Sequence, residues 1–246
     1  MFKSFTTSQT KPTSYREEIV ARKRLYRPPV TDGLVLWLDS TVGTTSTTWT
    51  DRKDRRLAAL RNGAAYDPST RSIEFDGIDD YAFVPNNSVF DMTDAITVSV
   101  WFQFTSAVNQ PLLSKRTAYA NDQSWAIINN GSNRLRYQMS DTGSNIQTID
   151  GTTLCPNNTW HKADLVYDRF ADRNAYGKLD NQPEVSFDRI GAQIHVSTAF
   201  IGIATQAGLG SAYCPCKIGD IKIYNRALSD RELTYNFDLE RSRYGI

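Results

Sequence analysis

The stretch Ile96-Thr-Val-Ser-Val-Trp-Phe-Gln-Phe104 decides the fold class of this chain. Large apolar side chains occupy every second position from Ile96 to Phe104, and Thr, Ser, Trp and Gln occupy the positions between them. A period of two is that of a β-strand, because successive side chains of a strand point to opposite faces of its sheet. The stretch therefore predicts a central strand with one face in the core.

Further segments with β-strand character follow one another along the chain. They are residues 34–38, 72–75, 81–84, 111–114, 125–128, 135–139, 160–167, 198–203 and 217–224. Turn sequences such as Asn62-Gly63 and Asp150-Gly151 lie between such segments and favour tight connections between antiparallel strands. About a dozen strands joined in this way predict an all-β, antiparallel sandwich of two sheets.

Length and composition are compatible with one such sandwich. The chain has 246 residues, of which 40% are hydrophobic and 22% charged, and a large all-β domain reaches ~250 residues without splitting. This composition excludes collagen-like, coiled-coil and wholly disordered proteins. The sequence has no apolar run long enough to cross a bilayer and no secretory signal, so we predict no membrane partner and reduced thiols at Cys155, Cys214 and Cys216.

The first 31 residues differ from the rest of the chain. Ser14 and Glu17 form a capping-box pattern that predicts a short helix, and the pair Pro28-Pro29 ends it. The segment is basic, although the whole chain has a net charge of only +1. We therefore divide the chain into a docking arm, residues 1–31, and a sandwich domain, residues 32–246.

The predicted arm helix needs a second surface, because a helix this short is not stable alone. We expect its apolar and basic side chains to dock on a partner protein. The predicted docking residues are Ile19, Val20, Arg24, Leu25 and Arg27. The nearly neutral net charge gives no general attraction to nucleic acid, so we predict no nucleic-acid partner.

A second capping-box pattern, Ser229 with Glu232, lies near the C-terminus. Leu228 and Leu233 are spaced so that they pack together across the first turn of a helix that begins there. The sequence therefore predicts that a C-terminal helix follows the last strand.

Four segments, read in order, resemble the laminin-G-like branch of the concanavalin A-like lectin and glucanase jelly rolls. They are Gly33-Leu-Val-Leu-Trp-Leu-Asp39 with Trp49-Thr-Asp51, Phe75-Asp-Gly-Ile-Asp-Asp-Tyr81, Ile96-Thr-Val-Ser-Val-Trp101 with Asn158-Thr-Trp-His161, and Gly219-Asp-Ile-Lys-Ile-Tyr-Asn-Arg-Ala-Leu-Ser229. Together they cover residues 33–246. The resemblance implies a concanavalin A-like jelly-roll sandwich, to which the N-terminal helical arm and the C-terminal helix are added.

The terminal sequence Asn236-Phe-Asp-Leu-Glu-Arg-Ser-Arg-Tyr-Gly-Ile246 is similar to the ends of laminin-G-like proteins in the virions of tailed bacteriophages. This resemblance implies a non-enzymatic virion protein, folded in the host cytoplasm, that decorates the capsid or forms a head, neck or tail appendage. Its partners would be capsid, neck or tail subunits, and a homo-oligomer is one arrangement open to it. The alternative is a carbohydrate-binding adhesin that contacts host surface glycans.

The motif Asp76-Gly-Ile-Asp-Asp80 gathers three carboxylates, which are oxygen ligands of the kind that Ca²⁺ prefers. The family resemblance implies a structural calcium ion near this motif, with Asp76 and Asp220 as its side-chain ligands. The alternative is a β-turn in which the Asp side chains accept hydrogen bonds from nearby backbone amides. No other cofactor is expected.

The sequence offers little for catalysis. The glucanases of this superfamily use a Glu-x-Asp-x-Glu pattern to hold two carboxylates close together, but none of the six glutamates of this chain falls in that pattern. With two histidines and no Gly-x-Ser-x-Gly elbow, a hydrolytic triad has few candidate members. We therefore predict that the chain is not an enzyme.

One strand offers a candidate glycan-binding face. Leu135, Tyr137 and Met139 alternate with polar residues, which places the polar side chains on the outer face of that strand. The predicted glycan-binding residues are Arg134, Arg136, Gln138 and Tyr119. The alternative is an ordinary solvated sheet face. Trp101, Trp125 and Trp160 are candidates either for stacking on sugars or for the core.

Overall fold

The fold is described by a computed structural model that covers residues 27–117, 121–171, 175–188, 190–191, 193–208 and 212–246. The predicted arm helix and its residues Ile19, Val20, Arg24 and Leu25 lie outside the described residues. Arg27 is described and exposed. The division at residue 31 and the docking role of the arm stay predictions.

The described residues form sixteen strands and one α-helix. In chain order the strands are β1 (Leu34–Asp39), β2 (Thr48–Thr50), β3 (Leu57–Arg61), β4 (Ala65–Asp67), β5 (Ser72–Phe75), β6 (Tyr81–Val84), β7 (Ala95–Phe104), β8 (Asn109–Arg116), β9 (Gln123–Asn130), β10 (Leu135–Ser140), β11 (Ile146–Asp150), β12 (Trp160–Asp168), β13 (Ala175–Leu179), β14 (Gln182–Ser186), β15 (Ile201–Ile203) and β16 (Cys216–Tyr224). Helix α1 spans Asp230–Glu240, and short 3-10 helices span Ser88–Phe90 and Arg241–Tyr244.

The strands form two antiparallel sheets. Sheet A has the order β14-β13-β12-β7-β16-β5-β4, and β1 pairs with β16 beside this path. Sheet B has the order β11-β10-β9-β8-β15-β6-β3-β2. The predicted antiparallel two-sheet sandwich is confirmed, and β7 is a central strand as its pattern indicated. Short strands such as β2 and β4 were not predicted, because three residues are too few to show a period.

The core lies between the two sheets. From sheet A, Ile96, Val98 and Val100 of β7 face it, and from sheet B, Tyr137 and Met139 of β10. All five residues have no exposed surface. Each buried side chain of this size stabilises the fold by about 1.5–3 kcal/mol. The period of two in β7 and β10 therefore correctly separated inward from outward positions.

Helix α1 covers the outer face of sheet A. Its predicted capping box is present, with the Ser229 side chain accepting from the Glu232 amide and the Glu232 side chain accepting from the Ser229 amide. The rings of Phe237 and Tyr244 lie 5.6 and 4.2 Å from the ring of Trp101. The alternate positions of β7 are therefore buried as well, which the pattern of one strand cannot show.

The first described residues run beside α1. The Val30 amide donates to Asn236 Oδ1 at 2.9 Å, and the Tyr235 hydroxyl donates to the Pro28 carbonyl at 3.0 Å. The chain therefore enters the sandwich on the outer side of sheet A. Within the described part of the chain, no helix has the length and apolar character that a membrane crossing requires.

Candidate functional site

Four aromatic side chains meet on the outer face of sheet B. Tyr81 and Phe83 project from β6 on the same side, because they are two residues apart, and their rings are stacked at 6.2 Å. Phe200, just before β15, lies 5.1 Å from Phe83, and Tyr213, just before β16, lies 5.9 Å from Tyr81. Each of the four residues is only partly buried. Sheet B thus presents an aromatic surface to solvent.

Residues 204–208, here called the strap, form one wall beside this surface. The Ser114 hydroxyl donates to the Thr205 carbonyl at 2.9 Å, which holds the strap flat on the sheet. A Cβ atom on Gly202 would lie 2.5 Å from the same carbonyl oxygen, so the close approach requires glycine there. Ala204 begins the strap with a φ of 57°, a left-handed conformation that costs a non-glycine residue about 1–2 kcal/mol. Such strain is often found at functional sites.

The strap and the four rings enclose an open pocket of about 410 Å³. Its lining consists of Tyr81, Phe83, Phe200, Thr205, Gln206, Gly208 and Tyr213. Gln206 is 7% exposed, and its side-chain Oε1 is buried without a hydrogen-bond partner. Buried polar atoms nearly always have partners, so this oxygen is an acceptor for which the described residues supply no donor.

Arg61 lies at the rim of this surface. Its guanidinium is 5.4 Å from the centre of the Phe83 ring, and it donates to the Leu60 carbonyl at 3.1 Å. The pocket thus combines apolar ring faces, an unpaired amide oxygen and a nearby cation.

The predicted glycan patch lies on the same sheet face, towards β10 and β11. Arg136 donates to both carboxylate oxygens of Asp150, at 2.6 and 2.9 Å, which raises the pKa of Arg136. Arg134 donates to the Thr152 carbonyl at 3.0 Å, and Gln138 to the Thr148 hydroxyl at 3.0 Å. Tyr119 lies outside the described residues. The face is polar as expected, but each of these side chains already has a partner within the chain, and their role in glycan binding stays a prediction.

The tryptophans do not form the aromatic surface. Trp125 belongs to the main core, and Trp101 is 1% exposed beneath α1. Trp160 is partly buried and packs against Tyr244, at 4.8 Å between rings. The sequence did contain a signal for two of the actual residues, because Tyr81 and Phe83 alternate with the buried Ala82 and Val84. Phe200 and Tyr213 come from irregular segments and showed no such pattern.

The carboxylate of Asp76 caps a turn. Its Oδ1 accepts from the amides of Ile78 at 2.7 Å, Asp79 at 3.3 Å and Asp80 at 3.4 Å, and the bond from Ile78 above all lowers the pKa of Asp76. This is the turn that the sequence offered as the alternative to calcium. The carboxylates of Asp76, Asp79 and Asp80 still place one oxygen each within 4.8 Å of one another.

Asp220 lies elsewhere and has other partners. Lys222 Nζ is 2.5 Å from one of its oxygens, and Trp37 Nε1 donates to the other at 3.3 Å. Burial beneath α1 raises the pKa of Asp220 to about 6. Phe75, next to Asp76, pairs with Cys216, four residues before Asp220 and so ~13 Å away along the strand. The structure therefore does not bring Asp76 and Asp220 together, and calcium binding by these residues stays a prediction.

The other candidate reactive groups are bonded or buried. His161 Nδ1 lies 2.7 Å from Asp180 Oδ2, and the amine of Lys217 binds the carboxylate of Glu74. The three cysteines are free thiols with no access to solvent, and burial raises the pKa of Cys155 to about 12. A thiol with such a pKa stays protonated and is a poor nucleophile at neutral pH.

Comparison with models of known families identifies the superfamily of this chain. Residues 76–234 match the laminin G model of the concanavalin A-like lectin/glucanases superfamily. The match includes more than half of the chain. The chain belongs to this superfamily.

Solved structures share the fold of this superfamily member. Trypanosoma rangeli sialidase in complex with sialic acid matches with a TM-score of 0.68 and 17% identity, over 88% of this chain and 34% of that one. The binding domain of botulinum neurotoxin DC in complex with SialylT matches with a TM-score of 0.66 and 14% identity, over 84% of this chain and 51% of that one. The binding domain of Paraclostridial mosquitocidal protein 1 matches at 0.64 and 15%, over 83% and 52%.

These similarities are similarities of fold. The chain spans about a third of the length of the sialidase chains that it matches, and no curated protein sequence matches it. The prediction of a phage virion protein is wrong, because the similar structures are a sialidase and toxin binding domains rather than particle proteins. They agree better with the alternative, a carbohydrate-binding domain.

Proposed function

We propose that this chain is a non-enzymatic carbohydrate-binding domain and that the pocket on the outer face of sheet B is its glycan site. One observation carries the proposal. Four partly exposed aromatic rings line one open pocket, and Gln206, whose buried Oε1 has no partner among the described residues, lines the same pocket.

The pocket has the two kinds of surface that a sugar requires. A sugar ring presents C–H groups on its faces, which pack on aromatic rings, and hydroxyl groups at its edge, which need hydrogen-bond partners. Ligand pockets are in general mostly apolar, with a few polar groups that orient the ligand. Here Tyr81, Phe83, Phe200 and Tyr213 supply the apolar faces and Gln206 supplies an acceptor.

The exposure of the rings also supports binding. Each ring would gain by burial, since aromatic side chains carry large apolar surfaces. Elsewhere in this chain aromatic residues of similar size, such as Trp49 and Phe102, are completely buried. A group of four aromatic residues that stays open to solvent on one face is the kind of patch that marks an interaction site.

The comparisons support the class of ligand. Two of the similar structures are complexes with sialic acid and with SialylT, and the superfamily includes lectins. The buried thiols, the His161–Asp180 pair and the Lys217–Glu74 pair support a binding role rather than catalysis.

The proposal is tested by screening the protein on a glycan array and measuring the affinity of the best ligand by calorimetry. We expect Phe83→Ala and Tyr213→Ala to weaken binding at least tenfold, because each removes a stacking surface. Phe170→Ala is the matched control, since Phe170 is also an exposed aromatic residue, 79% exposed at the β12–β13 turn, and does not line the pocket.

All three variants should melt near the temperature of the unchanged protein. Glycan binding that survives both pocket substitutions would refute the pocket as the site. Absence of binding to any glycan would refute the proposed function itself.

A further inference from the structure

Arg116, at the end of β8, is largely buried and, unlike Arg136, Arg226 and Arg243, is not paired with a carboxylate among the described residues. Its Nη1 donates to Gln138 Oε1, and its Nε is buried without an acceptor. Burial lowers the pKa of Arg116 to about 10, whereas Arg136, Arg226 and Arg243 have raised pKa values and carboxylate partners.

A positive charge in this position is costly unless it is paired. Removing a charge from water without a counter-charge raises the free energy of the fold. Surface arginines without partners are common, but Arg116 is largely buried, and neutral amides do not replace a counter-ion. The structure therefore contains a cationic site that a negatively charged group would stabilise.

The surroundings of Arg116 add hydrogen-bonding capacity. Gln123, Ser124, Gln138 and Ser140 line a narrow crevice with it. Gln123 Oε1 is buried without a donor, just as Arg116 Nε is buried without an acceptor. The crevice is too narrow to hold a ligand, but Arg116 is partly exposed, so a ligand would have to approach its guanidinium from the solvent.

The cationic site lies on the same sheet face as the aromatic pocket. The Ala207 amide, in the strap, donates to the Arg116 carbonyl at 3.2 Å. Phe83 of β6 pairs with Gly202 of β15, which pairs with Ser114 of β8. Two strand spacings across and two residues along β8 place the backbone of Arg116 roughly 12 Å from that of Phe83. The guanidinium lies farther from the pocket, because it binds Gln138 of β10, on the side of β8 opposite to β6. A short oligosaccharide covers this span.

We propose that Arg116 is the specificity-determining residue of the glycan site and that it binds the carboxylate of an acidic sugar. The ligand class is a carboxylate-bearing oligosaccharide, one ring of which stacks in the aromatic pocket while its acidic ring reaches across the strap. The inference rests on the proposed function and deepens it. A guanidinium donates charge-assisted hydrogen bonds to a carboxylate, which are roughly twice as strong as neutral ones.

The experiment uses an array of matched pairs, in which each acidic oligosaccharide, sialylated or uronic, stands beside its counterpart with the carboxylate converted to an amide. Charge-assisted bonds of about 1.5–3 kcal/mol correspond to a preference for the acid of roughly tenfold or more. We expect this preference in the unchanged protein and expect Arg116→Gln to abolish it, while binding of the amide forms stays the same.

Two further variants control this test. Arg231→Gln removes an equal charge from the exposed surface of α1, which covers sheet A, and it should keep the preference. Arg116→Lys keeps the charge without the planar guanidinium, so a folded variant with a reduced preference is expected even where Arg116→Gln unfolds. Melting temperatures establish that each variant is folded.

The outcomes separate the inference from the proposed function. Equal binding of acids and amides by the unchanged protein, or a preference that survives both Arg116 substitutions, overturns the role of Arg116 and leaves the aromatic pocket standing. Loss of the preference in Arg231→Gln as well would show a general charge effect and also overturns it. A protein that binds no member of the array refutes both.

Discussion

The two outer faces of the sandwich both carry aromatic and polar side chains, but one face is buried beneath a helix and the other is exposed to solvent. On sheet A, the aromatic and charged side chains are sealed beneath α1: Trp101 Nε1 donates to Glu240 at 2.7 Å, and Lys222 lies 2.5 Å from both Asp220 and Glu240. On sheet B, the rings around Phe83 stay open and the Oε1 of Gln206 has no partner. The difference separates polar groups that hold the fold together from those that await a ligand.

The covered face shows how a charged surface becomes part of a core. Burial of Asp220 and Glu240 is tolerated because Lys222 lies between them. Arg243 adds a second cation, 3.0 Å from Asp39. Each of these charged groups has an internal partner, although Arg243 Nε and the Tyr244 hydroxyl are buried with no partner among the described residues, so this face has few groups left to offer a ligand. The open face has fewer charges but leaves specific groups unmatched.

The largest expected effect is the loss of the buried cation of sheet A. Lys222→Ala removes the cation that lies between the carboxylates of Asp220 and Glu240, and we expect it to lower the free energy of unfolding by about 3–5 kcal/mol. Urea denaturation measures this value. Lys217→Ala is the matched control on the same strand: its amine is 20% exposed and pairs with Glu74, so we expect a change below about 1 kcal/mol. If both variants lost the same free energy of unfolding, the proposed difference between the buried Lys222 and the partly exposed Lys217 would be contradicted.

An intermediate effect is expected from the open face. Gly202→Ala places a methyl group against the Thr205 carbonyl and must displace the strap, which we expect to cost about 1–3 kcal/mol of stability. Glycan affinity should fall as well, because the strap carries Gln206. Ala204→Gly serves as the comparison, since it relieves the left-handed conformation and leaves the strap in place. Calorimetry measures the stability and the glycan affinity of both variants. Unchanged glycan binding by a folded Gly202→Ala protein would show that the strap does not form a wall of the pocket.

The smallest effect concerns the ion pair between Glu232 of α1 and Arg226, whose contribution to stability depends on pH. Hydrogen bonds from Arg226 lower the pKa of Glu232 from 4.5 to about 2. A lowered pKa in the folded state means that the contribution to stability is present above pH 4.5 and is lost as the pH falls towards 2. We expect Glu232→Gln to cost about 1 kcal/mol at pH 7, because the pair is partly solvent-screened, and less at pH 3.

Urea denaturation at the two pH values measures this difference. Asp220 acts in the opposite direction: its pKa is raised to about 6, so its contribution is present at low pH and is lost as the pH rises through 6. The contribution of Asp220 is the same in Glu232→Gln and in the unchanged protein, so it cancels when the two proteins are compared at the same pH. A difference that grows on acidification would contradict the assignment to Glu232.

Much of the fold was predictable from local patterns. The period of two in β7 and β10 identified inward positions correctly, and the capping box at Ser229 located the start of α1. These features depend on neighbours within one element, so a short sequence window contains them. The candidate site was harder. Its residues come from β6, the segment before β15, the strap and the segment before β16, and no window includes them all.

Particular residues show where sequence reasoning ended. Trp101 has the pattern of an outward residue and is buried, because α1, more than 100 residues later in the chain, covers it. Asp220 was a candidate metal ligand and is instead paired with Lys222, two residues away on the same strand face. No sequence pattern pointed to Gln206 or Arg116. Both stand out only because a buried polar atom, Oε1 of Gln206 and Nε of Arg116, has no hydrogen-bond partner among the described residues.

Local patterns in the sequence were enough to predict the class of fold, the inward-facing side chains of the long strands and the C-terminal helix, because strand periodicity and helix capping involve neighbouring residues. Which sheet face is closed and which is open became clear only in the folded structure. That choice depends on where α1 and the strap come to rest, and their positions follow from packing between segments that are far apart in the chain.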